Sequence, residues 1–391
     1  MGESIKVLLV VTHPPGLKGS MARFADLVET ALSTTPDLAP ELSISRMNLA
    51  FPWHPALWMP ARIQTWLNHL WLMVFARWRM GRSGADLVHL LDGSYGYLLK
   101  NFTRIPAIAT VHDLIPLLQQ DGRFGANRSS VFARKVIRDA RLGLRNCVHL
   151  LAVSANTAQD LAAFDVADCD NVTVVPSALA PSLTALSVSS QERLGRECLG
   201  SNPSREPPYI LHVGNNGCYK NRKGVIRIFA RVRQELKLRL VMAGPAPTDS
   251  IYSLVRDLLL EEFVDFVVTP DDSRLVELYE NASVFLFPSL YEGFGWPPLE
   301  AMACGCPVVC SSAGSLPEVV GDAALTASAE NEEQLADHCL AVLTDAGLAS
   351  VMIGKGLEWS SQFSVERMRG DLERAYHAAL SRAGNVNVAA E

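Results

Sequence analysis

The chain has 391 residues, of which 49% are apolar, and it carries a formal net charge of −6 at pH 7. This length exceeds what one hydrophobic core normally supports, so two domains are expected. The negative charge argues against nucleic acid as a partner, and no stretch reaches the roughly 20 apolar residues that a membrane-spanning helix needs.

Short apolar runs alternate with stretches of helical periodicity, which is the pattern of parallel strands covered by helices. In the first half, strands are predicted at 5–11, 86–91, 107–111, 149–153 and 172–175. In the second half, they are predicted at 209–213, 238–243, 264–268, 284–288 and 307–310. Two doubly wound halves of this kind bind a ligand at the carboxyl ends of their strands.

The eight cysteines show neither a Cys-x-x-Cys pair nor zinc spacing, which indicates reduced thiols in a cytoplasmic protein. Cys304 and Cys306 are expected to pack as small residues. The N-terminal segment contains an acidic residue before a short apolar run, so we expect a first strand there rather than an export signal.

The tract 42–85 contains five arginines and five of the seven tryptophans but no acidic residue. A helix is predicted from about 60 to 80, because apolar residues recur every four positions at Trp66, Leu70, Val74 and Trp78. Apolar and cationic residues without acids suit a helix that lies on anionic headgroups, so we predict peripheral membrane contact through residues 53–82. The alternative is a core helix with a basic outer edge.

Residues 292–300 read Glu-Gly-Phe-Gly-Trp-Pro-Pro-Leu-Glu and follow the apolar run 284–288. The two glycines allow the backbone to approach a ligand closely, and the two prolines suit the first turn of a helix. The free amides of such a helix would face an anion such as a diphosphate. Glu292 and Glu300 should face the same cleft, which indicates a site for a polyhydroxylated, phosphorylated ligand.

This segment, within the longer run PSLYEGFGWPPLEAMACGCPVV, resembles the E-x7-E signature of retaining glycosyltransferases of family 4. The resemblance implies an α/β protein with the GT-B fold, in which two Rossmann-like doubly wound parallel-sheet domains face a central cleft. It implies that Glu292 orients the donor sugar and that Glu300 holds the ribose of the nucleotide. Further donor contacts are implied at Gly293, Phe294, Gly295 and Leu299.

A cationic loop follows the first predicted strand of the second half. Glycine-lined turns with several cations before a helix suit a diphosphate. The family often has Gly-Arg here and then a lysine. Lys220 matches that lysine, but Asn215 follows Gly214 where the arginine is expected. Whether Arg222 or Lys223 compensates is open, and a surface turn with clustered cations is the alternative. All five residues are candidate donor contacts.

Residues 110–116 read Thr-Val-His-Asp-Leu-Ile-Pro and resemble the HDLIP run of many family 4 members. The resemblance places His112 near the reacting sugar, so His112 and Glu292 are the candidate catalytic residues. Asp113 is a candidate acceptor contact, although capping of the next turn or support of the histidine suits it better.

The loop 12–20 corresponds in position to the family's glycine-rich acceptor loop, although the usual Gly-Gly pair is absent. Gly16 and Gly19 are therefore candidate acceptor contacts, with His13 and Lys18 beside them. A plain turn between strand and helix is the alternative reading.

The predicted domains are 1–180 for the acceptor, a linker at 181–207, 208–365 for the nucleotide sugar, and a helix at 366–391 that crosses back to the first domain. Other polar residues at strand ends have predicted structural roles. Ser154 or Asn156 should cap a helix, and Glu318 should anchor a loop.

The resemblance implies transfer of a sugar from a GDP- or UDP-sugar to a hydroxyl of a glycan or glycolipid, with retained configuration, in cell-surface polysaccharide biosynthesis. The expected location is cytoplasmic, at the inner face of the membrane. No Asp-x-Asp metal clasp is suitably placed, so no metal or other cofactor is expected. The alternatives are a two-carboxylate glycoside hydrolase, a GT-B phosphorylase or epimerase, and a catalytically silent GT-B scaffold in a membrane polysaccharide-assembly complex.

Overall fold

The computed structural model describes residues 4–13, 19–33, 42–50, 61–124, 130–181, 183 and 208–388. Within it the chain forms two compact units. The first unit comprises Met1–Ala178 and Val365–Glu391, and the second comprises Leu179–Ser364. Of the predicted linker, all but residues 181 and 183 lies outside the described residues.

The first unit is built on a parallel six-stranded sheet with the order β2-β1-β3-β4-β5-β6. Its strands are β1 Ile5–Val11, β2 Leu42–Asn48, β3 Leu87–Leu90, β4 Ala107–Val111, β5 His149–Ala152 and β6 Val172–Val174. Its helices before the second unit are α1 Ser20–Ser33, α2 Ala61–Met80, α3 Ile115–Gln120, α4 Val131–Leu144 and α5 Ala155–Ala163.

The second unit is built on another parallel six-stranded sheet, with the order β12-β11-β10-β7-β8-β9. Its strands are β7 Tyr209–Val213, β8 Arg239–Gly244, β9 Val264–Val268, β10 Val284–Phe287, β11 Val308–Ser311 and β12 Leu325–Ala327. Its helices are α6 Arg222–Glu235, α7 Asp249–Asp257, α8 Asp272–Asn281, α9 Trp296–Ala303, α10 Leu316–Val320, α11 Glu332–Thr344 and α12 Ala346–Ser360.

Alternate residues of the second sheet pack into two different hydrophobic clusters. Leu286 on β10 belongs to the cluster that contains α6 residues, whereas Phe285 and Phe287 belong to the cluster that contains α8 and α9 residues. Helices therefore cover both faces of this sheet, which explains why its strands read as unbroken apolar runs. Cys304 and Cys306 are buried in the second cluster, which confirms their packing role.

The terminal helix, α13 Val365–Val388, belongs to the first unit, where it contacts α1 and β5. Tyr376 on this helix is buried, and its hydroxyl lies 2.8 Å from Nδ1 of His89 on β3. The other ring nitrogen of His89 lies 2.8 Å from Oγ1 of Thr110. The helix is thus held to the sheet by a buried polar network as well as by apolar packing.

The fold class predicted from the sequence is confirmed, and the ten predicted strands match observed strands to within one residue at either end. Strands β2 and β12 were missed. β2 is an edge strand with the alternating sequence LSISRMN, and β12 has only three residues, so neither has the apolar run that marks a central strand.

Helix α2 begins and ends close to the predicted limits. In the described part of the chain, no single helix is long and apolar enough to cross a membrane. Helices α11 and α12 pass the same test only when taken together, and they are bent by 101° at the break between them.

Candidate functional site

A buried ion pair lies at the carboxyl ends of the strands in the second unit. The ammonium nitrogen of Lys220 donates to both carboxylate oxygens of Glu292, at 2.7 and 2.9 Å. Lys220 is 9% exposed and Glu292 is 6% exposed. The ammonium also lies 5.0 Å from the ring centroid of Phe287 and 5.3 Å from that of Tyr219, within cation–π range. Each charge is therefore desolvated and neutralised mainly by the other.

The loop that carries Glu292 is shaped by glycine and held by a serine. Gly295 has a φ of 108° and forms the N-cap of α9, with proline in the first helical turn as predicted. The Ser315 hydroxyl donates to the backbone carbonyls of Glu292 and Phe294, at 3.0 and 2.6 Å. Gly314 has a φ of 58°, and a Cβ there would lie 2.5 Å from the carbonyl oxygen of Glu292. These contacts fix the position of the glutamate backbone.

Glu300 lies inside helix α9 and is 3% exposed. The Tyr279 hydroxyl of α8 donates to its Oε2 at 3.1 Å. A carboxylate held in this way keeps acceptor capacity for the hydroxyl groups of a ligand. Sequence reasoning identified Glu300 but not its tyrosine partner, because α8 precedes the motif by some twenty residues.

The loop between β7 and α6 is fastened to the end of β10. Asn221 adopts the left-handed conformation, with a φ of 51°, and its side chain accepts from the Gly224 amide as the N-cap of α6. Its side-chain nitrogen donates to the Pro288 carbonyl at 3.0 Å. The Leu290 amide donates to the Tyr219 carbonyl at 2.7 Å. Lys220 is thereby held against the glutamate loop.

His212 is a buried residue of this region that sequence reasoning did not assign. Its Nδ1 donates to the Leu286 carbonyl at 3.0 Å, whereas its Nε2 has no hydrogen-bond partner in the described part of the chain. Burial lowers the pKa of His212 to about 3, so the ring is neutral near pH 7. A Cβ on Gly214 would lie 2.8 Å from Nε2, which explains the glycine there. In the sequence, the feature that could have identified His212 is a histidine inside an apolar strand that ends at a glycine turn.

The two remaining cations of the loop differ in their surroundings. Arg222 is buried, and its Nη1 donates to the side-chain oxygen of Asn216 and to the Pro245 carbonyl. Lys223 is exposed. The structure thus brings Lys220 to Glu292 but directs Arg222 toward the turn after β8. The Asn215 side chain accepts from the Gly217 amide at 2.8 Å and so shapes the loop itself.

The candidate residues of the first unit lie after β1 and β4. His112 is half-buried, and its Nε2 donates to the Leu91 carbonyl at 2.9 Å, which leaves Nδ1 as the other polar atom of the ring. Its ring meets that of Phe24 edge to face, with centroids 4.5 Å apart. Asp113 accepts from the Ile115 amide at 3.0 Å, a local contact in the turn that leads into α3.

The candidate acceptor loop is only partly described. Gly19 is exposed, and Gly16 and Lys18 lie outside the described residues. The backbone carbonyl of His13 accepts from the Asn48 side chain at 3.1 Å, and burial lowers the pKa of its ring. Ser154 caps α5, as predicted.

Glu318, which is predicted to anchor a loop, is exposed, and Ser315, three residues before it, donates to the Phe294 carbonyl. In the residues that the structure describes, no three or more His, Cys, Asp or Glu side chains are grouped to hold a metal ion.

Two family models match the chain in succession. The model described as Glycosyltransferase Family 4 matches residues 31–182, and the model described as Glycosyl transferases group 1 matches residues 200–359. A curated relative, O-antigen chain mannosyltransferase B of Escherichia coli, is 36% identical over 172 residues. That match covers 43% of this chain and 45% of the relative, so it spans less than half of the relative's length.

Solved structures share the fold over nearly the whole chain. A sucrose-phosphate synthase from Thermosynechococcus elongatus has a TM-score of 0.74 at 20% identity, covering 96% of this chain and 99% of its own. Anabaena HepE, solved in complex with UDP and glucose, has a TM-score of 0.67 at 14% identity, covering 96% and 100%. With both halves of the chain matched by models of one family and this fold in common, the chain belongs to glycosyltransferase family 4 and has the GT-B fold.

Proposed function

We propose that this chain is a retaining glycosyltransferase that moves a hexose from a nucleoside diphosphate sugar to a hydroxyl group of a glycan or glycolipid. The observation that carries the proposal is the buried contact of Lys220 with both carboxylate oxygens of Glu292. One partner is a cation suited to phosphate, and the other accepts hydrogen bonds from hydroxyl groups. When a sugar phosphate binds, its phosphate would contact Lys220 in place of Glu292. The hydroxyl groups of its sugar would contact Glu292 in place of Lys220.

In this proposal Lys220 stabilises the negative charge that develops on the departing diphosphate, which is the step where electrostatic stabilisation counts most. The amides at the start of α9 and the glycines before it add to that stabilisation. Glu292 orients the sugar through its hydroxyl groups. Glu300, held by Tyr279, accepts from the ribose.

We propose retention of the anomeric configuration because the chain belongs to family 4 and because Glu292 and Glu300 are assigned to holding the donor. Glu292 is paired with Lys220 and works as a hydrogen-bond acceptor rather than a nucleophile. The leaving phosphate would help to deprotonate the acceptor hydroxyl on the same face of the sugar. His112 would contact the reacting sugar through Nδ1, since Nε2 is bonded to Leu91.

We also propose that the transfer requires no divalent metal, because Lys220 and the amides of α9 supply the positive charge that a metal would otherwise bring to the diphosphate. Turnover in excess EDTA tests this point. An unchanged rate is expected, and a loss that Mg²⁺ or Mn²⁺ restores would contradict it.

We assign the biological setting to the synthesis of a cell-surface polysaccharide on the cytoplasmic side of a membrane. The support is the similarity to an O-antigen chain mannosyltransferase. The nucleotide and the hexose are tested with a thermal-shift panel of GDP, UDP, ADP and their sugars. We expect one nucleotide class to raise the melting temperature clearly, and Lys220→Gln to abolish that rise.

Turnover separates the enzyme from the scaffold alternative. The substitution of Asn215 for the family arginine is the observation that favours a scaffold. Hydrolysis or transfer of the best-binding donor with acceptor extract is expected from wild type and not from Lys220→Gln. Consumption of no donor by wild type would support the scaffold.

We further propose that α2 rests on an anionic membrane. Exposed apolar side chains follow one side of this helix, and they are Ile63, Trp66, Leu70, Val74 and Trp78. Trp66 is 48% exposed and Trp78 is 57% exposed, and the Arg82 guanidinium lies 4.6 Å from the Trp78 ring centroid. Tryptophan with arginine suits the headgroup region of anionic lipid.

Sedimentation with liposomes tests the membrane contact. We expect binding to vesicles that contain phosphatidylglycerol and weaker binding to neutral vesicles. The double variant Trp66→Ser with Trp78→Ser should lose most of it, whereas Tyr252→Ser, an exposed aromatic residue of the second unit, should not. Equal binding by both variants would contradict the proposed surface.

A further inference from the structure

A groove of about 490 Å³ lies in the second unit between the N-terminal ends of α6 and α7. Its described lining includes the three cations Arg222, Lys223 and Arg227, and no carboxylate belongs to that lining. Neither Lys220 nor Glu292 is part of the described lining, so the groove is separate from their ion pair. A cationic groove of this kind attracts anions.

Arg222 is the unusual member of this lining. It is only 4% exposed, and its Nη1 donates to two neutral acceptors, the side chain of Asn216 and the carbonyl of Pro245. Its Nε and Nη2 have no hydrogen-bond partner among the residues that the structure describes. A buried charge that lacks a counter-ion is costly, and burial lowers the pKa of this guanidinium. The unpaired Nε and Nη2 atoms of Arg222 therefore favour the binding of an anion.

The two unpaired atoms define the shape of that partner. Nε and Nη2 lie on one edge of the planar guanidinium and point their N–H groups in parallel. This edge matches two oxygens of a phosphate or carboxylate in a bidentate arrangement. A neutral ligand with a single acceptor would satisfy only one of them.

The other charged residues of the groove do not take over this role. Arg227 is already bonded to both carboxylate oxygens of Glu332, with its Nε at 2.8 and 3.0 Å. Lys223 belongs to the lining but is exposed, so water solvates its charge. Arg222 is consequently the buried cation of the described lining whose donors remain without a protein partner.

The opposite wall adds features that favour phosphate. Thr248 and Ser250 line the groove at the start of α7, and Thr248 is the N-cap of this nine-residue helix without a side-chain cap bond. The positive end of the helix dipole and the hydroxyl groups face an anion favourably. Asp249, on the same turn, is not part of the described lining.

We propose that this groove binds a phosphate group on the Nε–Nη2 edge of Arg222. The site lies outside the pair of Lys220 and Glu292, and the case in which it holds the phosphate of the donor rests on the proposed function. The phosphate belongs either to the nucleotide of the donor or to a separate phosphorylated molecule. In the first case Arg222, rather than Lys223, takes the place of the arginine missing after Gly214.

Calorimetric titration of the full chain with inorganic phosphate and pyrophosphate tests the site. Arg222→Gln should weaken binding at least about tenfold, because a charge-assisted bidentate contact is lost. The matched control is Lys223→Gln, the adjacent exposed cation, which should change the affinity by less than about threefold. Absence of phosphate binding by wild type, or equal losses in the two variants, would overturn the proposal.

A second variant keeps the arginine and covers the case in which Arg222→Gln fails to fold. Asn216→Asp places a carboxylate next to Nη1 and so supplies a counter-ion from within the protein. We expect a melting temperature no lower than that of wild type and phosphate affinity reduced about tenfold. Unchanged phosphate affinity in this variant would count against the site.

Competition identifies the source of the phosphate. If added phosphate weakens nucleotide binding in proportion to its own occupancy, the groove holds the phosphate of the donor. If both ligands bind independently, the groove holds a separate phosphorylated molecule. Lys220→Gln distinguishes this inference from the proposed function, since it should abolish transfer and leave inorganic phosphate binding intact.

Discussion

Lys220 and Glu292 form a buried ion pair. In the proposed function, the lysine binds the phosphate of the donor and the glutamate accepts hydrogen bonds from the hydroxyl groups of its sugar. Lys220→Gln would leave a buried carboxylate without its counter-ion, so the free energy of unfolding should fall by about 3–5 kcal/mol. The exposed pair of Lys355 and Asp322 has the same 2.7 Å contact and serves as a control. Lys355→Gln should leave the free energy of unfolding close to that of wild type, because this pair is solvated. Urea denaturation measures both.

Measurement of sugar transfer distinguishes the catalytic role of the Lys220–Glu292 pair from its role in stability. The double variant Lys220→Gln with Glu292→Gln removes both charges, so it should recover part of the lost stability. It should not recover transfer, and kcat should stay about 100-fold to 1000-fold below that of wild type, since the stabilisation of the leaving group is absent. Full activity in the double variant would show that the pair is only structural.

Ser315 acts on the site through the backbone. Its hydroxyl bonds two carbonyls of the glutamate loop, so Ser315→Ala should cost about 1–3 kcal/mol of stability and raise the donor KM. Ser360 is also buried, but its hydroxyl donates within its own helix, to the Leu357 carbonyl at 3.1 Å. Ser360→Ala should lower stability comparably without changing KM. Parallel kinetics and thermal unfolding of the two variants check this difference.

At the scale of elements, the turn into α10 depends on backbone conformation. Gly314 has a φ of 58°, and a Cβ there would press on the Glu292 backbone. Gly314→Ala should therefore destabilise the protein by more than about 1 kcal/mol and lower donor affinity. Gly354 is an exposed position of α12, and among the described residues nothing beyond its chain neighbours and the adjacent backbone of its own helix lies within 4 Å of its Cβ site. Gly354→Ala should stabilise by about 0.5–1 kcal/mol. Denaturation and donor titration of both variants test this contrast.

Strands that are buried on both faces were predictable from the sequence because they read as apolar runs. β10 and β11 are fully buried and read as apolar runs, whereas β2 lies at a sheet edge and alternates. The local motif likewise predicted the start of α9 from its glycine and prolines. Contacts between distant segments were not predictable. No pattern near Glu292 in the sequence indicates that Ser315 bonds its backbone or that Tyr279 bonds Glu300. One sequence also left open which cation of the loop is buried.

At the scale of the whole molecule, each unit buries a histidine inside its sheet. His89 in the first unit and His212 in the second are fully buried, and burial lowers the pKa of each to about 3. His89 is bonded to the terminal helix through Tyr376, which ties the end of the chain to the first sheet. Both units therefore carry a buried base that must stay neutral for the native packing to persist.

This burial predicts loss of stability in mild acid. The unfolded chain binds a proton at each histidine below its ordinary pKa of about 6.5, whereas the folded chain does so only near pH 3. The unfolded state thus holds more protons between these values, so the free energy of unfolding falls as the pH drops from 6.5 toward 3. At pH 5 the loss is about 2 kcal/mol for each histidine.

Melting temperatures at pH 7.5 and 5.0 should differ less in His89→Gln and His212→Gln than in wild type. The exposed His377 is the control, and His377→Gln should keep the wild-type difference. An equal pH effect in all four proteins would contradict the assignment of acid sensitivity to the buried rings.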